Sequence, residues 1–136
     1  MNVLIQELYN RVEGLLYFSE SEYPVMPVII DVAHEKDISA SIASYSNTDE
    51  KYIKIISARN FFARFKNYLA YGGPDEVMNN NAREFMVLHH FLKENFETTQ
   101  VYRIERPGEA VIPIFIICKL KDNGGFAGLK TTSVET

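Results

Sequence analysis

The sequence predicts an α+β fold built as one domain over residues 1–136, with a mostly antiparallel or mixed sheet between helical layers. Three observations carry that prediction. Two long segments repeat apolar residues at helical spacing, several short β-branched segments are separated by turn residues, and the apolar run Val111–Cys118 does not alternate. A strand that fails to alternate is covered on both faces, and helices are the elements available to cover it.

Leu4, Leu8, Val12, Leu15 and Leu16 recur at steps of three and four, which predicts an amphipathic helix over 2–17 capped by Asn2. Gly14 weakens its last turn. An acidic junction, Phe18-Ser-Glu-Ser-Glu-Tyr-Pro24, leads from it into an extended run over 25–33. Pro24 and Pro27 remove backbone donors there, which places that strand at an edge or at a bulge. Glu20 and Glu22 therefore sit in a tight, exposed connection.

Residues 34–37 read as a turn, and Ile38, Ala40 and Ile42 alternate with Ser39 and Ser41 as a half-buried strand does. A turn over 46–50 and a strand over 52–56 come next. Ser57 is placed to cap a short helix carrying Phe61, Phe62 and Phe65, broken by Gly72-Gly73-Pro74. Residues 75–81, with three successive asparagines, read as a polar loop. Phe85, Met86, Leu88, Phe91, Leu92 and Phe96 mark a second long helix over 82–96. Strands over 100–106 and 110–120 and a closing strand from Phe126 complete the chain, with turns at Pro107-Gly108 and at Asn123-Gly124-Gly125. Pro113 is the one residue that argues against a central place for the second of these.

A chain of 136 residues with 46% hydrophobic and 24% charged residues fits one globular domain, and neither disorder nor membrane spanning suits it. Glu7, Arg11 and Glu13 fall where a signal peptide needs an apolar core, and the single cysteine, Cys118, lies in an apolar run. Both point to a reducing cytoplasm and a buried, inert thiol. The net charge of −4 without a basic cluster argues against direct nucleic-acid binding and favours a basic partner. His89 and His90 lie about 100° apart around a helix and read as surface or boundary residues, not as two ligands of one metal. No nucleophile elbow, phosphate loop or dinucleotide fingerprint is present, so neither a cofactor nor a catalytic residue is assigned.

The closing stretch holds the sharper signal. Its strand runs almost to the last residue, so the α-carboxylate and hydroxyl of Thr136 would be held in nearly one place, an oxygen cluster similar to a phosphate in charge. From composition alone, the plain reading is that the chain stops where its last strand stops.

Two stretches at opposite ends, Gly14-Leu-Leu-Tyr-Phe-Ser-Glu-Ser-Glu-Tyr-Pro24 and Ala127-Gly-Leu-Lys-Thr-Thr-Ser-Val-Glu-Thr136, with Gln100-Val-Tyr-Arg103 and Phe61-Phe62 between them, resemble the nuclease A inhibitor family. The resemblance implies an α-β-α sandwich, acting as a monomer in a one-to-one complex, that plugs the active site of a magnesium-dependent, sugar-non-specific endonuclease. It implies that Thr136 reaches the partner's magnesium through water and that Glu20 pairs with an active-site arginine. Glu22 and Glu135 adjoin these two. The family's Asp-Trp pair after the short helix has no direct counterpart, since the chain lacks Trp and that loop reads Tyr68-Leu-Ala-Tyr-Gly-Gly-Pro-Asp-Glu76. Tyr71 and Asp75 are the substitutes there, and they complete the expected partner-binding set. Two alternatives stay open: an interaction module of the same fold that no longer inhibits a nuclease, and a small enzyme or ligand-binding domain marked by a deep pocket away from Glu20 and Thr136.

Overall fold

The computed structural model describes residues 2–136. Helix α1, Val3–Val12, is capped by Asn2, whose side chain accepts from the N–H groups of Leu4 at 2.7 Å and Ile5 at 3.3 Å. The helix ends sooner than its leucine spacing suggests. Gly14 has φ of +80°, a left-handed conformation that costs glycine little and lets the chain turn out of the helix. Leu15 and Leu16 therefore lie outside the helix and lead into a hairpin of β1, Leu16–Phe18, and β2, Glu22–Pro24.

The main sheet has five strands in the order β3-β7-β6-β5-β4, every neighbour antiparallel: β3 is Met26–Val28, β4 Ile53–Ser57, β5 Thr98–Ile104, β6 Val111–Lys119 and β7 Phe126–Val134. The proline-bearing β3 lies at an edge, as its missing donors require. The unalternated β6 is the middle strand. Its ladder with β5 covers Ile114–Lys119, so Pro113 lies beyond it and pairs only with Thr132 of β7.

Three further expectations need correction. Residues expected to form a strand at 38–42 belong to helix α2, Ile38–Tyr45. Ile38 and Ile42 are also one helical turn apart, and buried Ala43 with exposed Ala40 follows the helical period and not the strand period. The polar loop at 75–81 is the first part of helix α4, Glu76–Asn95, because Asp75 caps it by accepting from Val77 and Met78 N–H at 2.9 and 3.2 Å. A capped first turn outweighs the poor helix propensity of three asparagines. Finally, His89 is buried, its ring stacked on Phe62 at 4.3 Å and 7°. Burial, and then the charge of Lys93, lower its pKa.

Helix α3, Ala58–Tyr71, begins at Ser57, which accepts from Asn60 N–H at 3.0 Å. Helices α1, α3 and α4 cover one face of the sheet with Leu8, Val12, Phe62, Phe65, Phe85 and Leu92 over Val101, Ile114, Ile116 and Leu129. On the other face, Ile38 and Ile42 of α2 pack with Tyr102, Ile104, Phe115 and Ile117. The result is an α-β-α sandwich with helices on both faces. Cys118 is fully buried in it, and burial pushes its thiol up to about 12. Thiol labelling of the native protein is therefore expected only at the rate of unfolding, with no fast phase. A fast stoichiometric phase in a native-state labelling time course would place Cys118 outside the core.

Candidate partner-binding site

The site forms where the β1–β2 hairpin meets the end of β7, and the core decides where that hairpin points. Tyr17 of β1 is 2% exposed. Its ring stacks on Phe61 at 5.7 Å and meets the edges of Phe65 and Phe85 at 6.2 and 6.0 Å. Arg64 of α3 donates to Tyr17 Oη at 2.7 Å and to the Phe18 carbonyl at 2.6 Å, while Asn81 of α4 donates to the Leu16 carbonyl at 2.7 Å. The hairpin is thus fixed from below by an aromatic cluster and from two helices by side chains that complete its backbone hydrogen bonds.

Ser19 closes the turn, its N–H donating to Ser21 O at 2.8 Å. Its hydroxyl accepts from Val134 N–H at 2.9 Å, and Glu20 N–H donates to the Val134 carbonyl at 3.2 Å. These two bonds prolong backbone pairing from β7 onto the hairpin turn. Beyond Val134, Glu135 N–H donates to the Ala110 carbonyl at 2.9 Å, which keeps the chain against the sheet for one more residue.

Thr136 then folds onto Glu20. The backbone N–H of Thr136 donates to Glu20 Oε2 and its hydroxyl donates to Glu20 Oε1. Glu20 and Thr136 lie 116 positions apart in the chain and are in direct contact in the structure. The two donations, the hydroxyl's first, hold the Glu20 carboxyl below the usual range against desolvation and the like charge of Glu135.

Glu135 points to a different partner. Arg103 Nη2 donates to both of its oxygens, at 2.8 and 2.9 Å, and Ser133 Oγ donates to Oε2 at 2.7 Å. Arg103 Nε donates to Glu105 at 2.8 Å. Burial raises the Glu135 pKa, but the bonds from Arg103 and Ser133 and the charges of Arg103 and Arg64 outweigh it, and the net shift is downward. Arg103 was visible in the sequence only as part of Gln100-Val-Tyr-Arg103. Nothing in the sequence alone connected it with Glu135.

The structure therefore brings Glu20, Thr136 and Glu135 together. Glu22 is exposed at the start of β2, beside them in the same hairpin. Tyr71 and Asp75 lie apart, at the corner between α3 and α4. Tyr71 is 88% exposed and stands seven positions after Arg64, two turns along the helix stripe that faces the hairpin. Asp75 uses one oxygen as the cap of α4. A groove of about 610 Å³ lies elsewhere, between α3 and α4, lined by Arg59, Lys66, Met86, His89 and Lys93 among others. It contributes no carboxylate, serine, threonine or cysteine. Among the described residues no group of three or more His, Cys, Asp or Glu side chains is placed to hold a metal ion, and no helix is long and apolar enough to cross a membrane.

A family model described as Nuclease A inhibitor-like protein matches residues 2–136, nearly the whole chain, and the chain belongs to that family. No curated protein matches it.

Proposed function

We propose that this member of the nuclease A inhibitor-like family is a protein inhibitor of a magnesium-dependent, sugar-non-specific endonuclease, and that it acts through Thr136 and Glu20. The observation that carries the proposal is the direct contact between those two residues, which turns two distant motifs into one exposed anionic surface. A nuclease active site is built to hold a scissile phosphate beside a hard cation and basic side chains. Magnesium accepts one or two carboxylates while keeping several waters. The carboxylate of Thr136 would occupy the phosphate's place without offering phosphorus to attack, so the complex binds and does not turn over.

Glu20 has room for a further role. A carboxylate offers about four acceptor sites, and Thr136 uses two of them. The remaining lone pairs can take an arginine of the partner in a charge-assisted bond, which sets orientation as much as affinity. Glu22 adds charge at the rim. Tyr71, exposed on the α3 stripe that faces the hairpin, fits a contact with the partner better than Asp75, whose capping bonds already account for it. The net charge of −4 favours approach to a basic cleft, an attraction that weakens as salt rises.

The test is stoichiometric titration of the protein into a sugar-non-specific nuclease degrading plasmid DNA and RNA. Loss of both activities at one equivalent is expected, with a complex of one copy of each protein by light scattering. A panel of such nucleases, including one from the native host, that keeps full activity at a large excess of the protein would overturn the proposal. A host protein without nuclease activity recovered on the same surface would support the interaction-module reading instead.

A further inference from the structure

The last two residues are gripped separately, and each grip uses a charged side chain. Glu20 takes the N–H and the hydroxyl of Thr136 with its two oxygens. Arg103 takes both oxygens of Glu135 with one nitrogen and turns its Nε to Glu105. Arg103 is set on β5, two strands away from β7, and reaches across β6 to do so. Its side chain is only 16% exposed.

Resting on the inhibitor reading above, we infer that Arg103 is a positioning residue for the partner-binding end of the chain: it acts through Glu135 to hold Thr136 in the place where the partner meets it. Two anionic side chains, Glu20 and Glu135, meet here around Thr136. Like charges at this spacing repel, and the charge of Glu135 does oppose that of Glu20. Arg103 offsets the charge of Glu135 and fixes its direction from Nη2 while Glu105 holds its Nε, so one planar guanidinium is locked between two carboxylates, which a single ammonium nitrogen does not reproduce. Glu135 is also the residue that sets the direction in which Thr136 leaves the sheet. With Glu135 held by Arg103, Ser133 and the Ala110 carbonyl, Thr136 has little freedom left, and Glu20 removes much of the remainder. The ordering entropy of the end is thus met in the free protein and not at the moment of binding.

The experiment compares wild type with Arg103→Met, Arg103→Lys and Glu135→Gln. Glu135→Gln keeps the packing of Arg103 in place, so it guards against a variant that fails for want of folding. Two readouts are taken: the ¹⁵N order parameter of the Thr136 amide in the free protein, and the dissociation rate of the nuclease complex. In wild type the Thr136 amide is expected to be as rigid as the sheet. In Arg103→Met and Glu135→Gln it should become mobile on the ps–ns timescale, with dissociation at least tenfold faster and association changed less than threefold. Arg103→Lys, which keeps the charge and loses the fork, should fall between. An end equally rigid in the folded variants and wild type, or an end that loosens with no change in dissociation, overturns the inference. Failure of the inhibitor reading shows separately, as a wild-type protein that binds no nuclease while its Thr136 amide is rigid.

Discussion

On the inhibitor proposal, appending one or two residues after Thr136 is expected to weaken binding to the nuclease at least a hundredfold, with the fold and its stability unchanged. A hundredfold loss corresponds to about 2.7 kcal/mol, within the range found when one partner of a buried, hydrogen-bonded charge pair is removed. The extension does two things at once. It converts the carboxylate of Thr136 into a neutral peptide group, and it moves the new carboxylate about 3.3–3.6 Å further for each residue added. The proposed partner site, shaped for phosphate beside magnesium, would not tolerate either change. The contacts that hold Thr136 to Glu20 use its N–H and its hydroxyl, so both survive the extension and the shape of the end is retained. Inhibition constants for the wild-type and extended proteins, with a thermal melt of each, make the test. Equal inhibition constants would remove the terminal carboxylate from the mechanism and leave Glu20, Glu22 and Tyr71 to account for binding.

The sequence exposed most of this fold wherever a pattern was local and the periods of helix and strand disagreed. The caps at Asn2 and Ser57 were legible because each needs only a side-chain oxygen and a nearby backbone N–H. The middle place of β6 was legible because burial on both faces erases alternation. Failures came where two periods coincide. Leu15 and Leu16 continue the helical spacing of Leu8 and Val12, and only the backbone of Gly14 decides that they start a hairpin. Ile38 and Ile42 satisfy a strand at every second residue and a helix at every fourth. The asparagines of α4 failed for another reason, since a tertiary contact rewards one of them: Asn81 is 9% exposed and donates to the Leu16 carbonyl. Propensity carries no knowledge of such a partner.

The site was legible only in halves. Each motif marked its own residues, and family resemblance named Glu20 and Thr136, but the physical reason for their pairing lies in the packing of Tyr17. That ring, buried against Phe61, Phe65 and Phe85, brings the hairpin turn to the end of β7. Arg103 was harder still. Its contact with Glu135 depends on the register of β5 on β6 and of β6 on β7, which no local pattern states.

Gly128→Val is expected to destabilise the protein by more than about 3 kcal/mol, and Gly128→Ala by about 2 kcal/mol, in the range of overpacked interiors and at its upper end for valine. Gly128 is buried in β7 between Val28 of β3 and Ile117 of β6. A Cβ at this position would stand 2.8 Å from Val28 Cγ1, 2.8 Å from the Val28 carbonyl oxygen and 3.1 Å from Ile30 Cγ1. One of those neighbours is backbone and cannot rotate away, so β3 must shift as a unit. Val28 and Ile30, each 6% exposed, would leave the core shared with α2. β3 is short and at the edge, with hydrogen bonds to β7 alone, so little holds it when that ladder opens. The chain runs directly from the hairpin through Val25 into β3, and Val25 N–H donates to the Leu15 carbonyl at 3.0 Å. Displacement of β3 therefore strains the hairpin that carries Glu20, and on the inhibitor proposal inhibition should fall together with stability. Denaturant unfolding of both variants measures the first effect, and hydrogen exchange of the Met26 and Val28 amides locates it. A valine variant within about 0.5 kcal/mol of wild type would mean that β3 moves freely on β7, and the rigid platform from which the hairpin meets Thr136 would be lost with it.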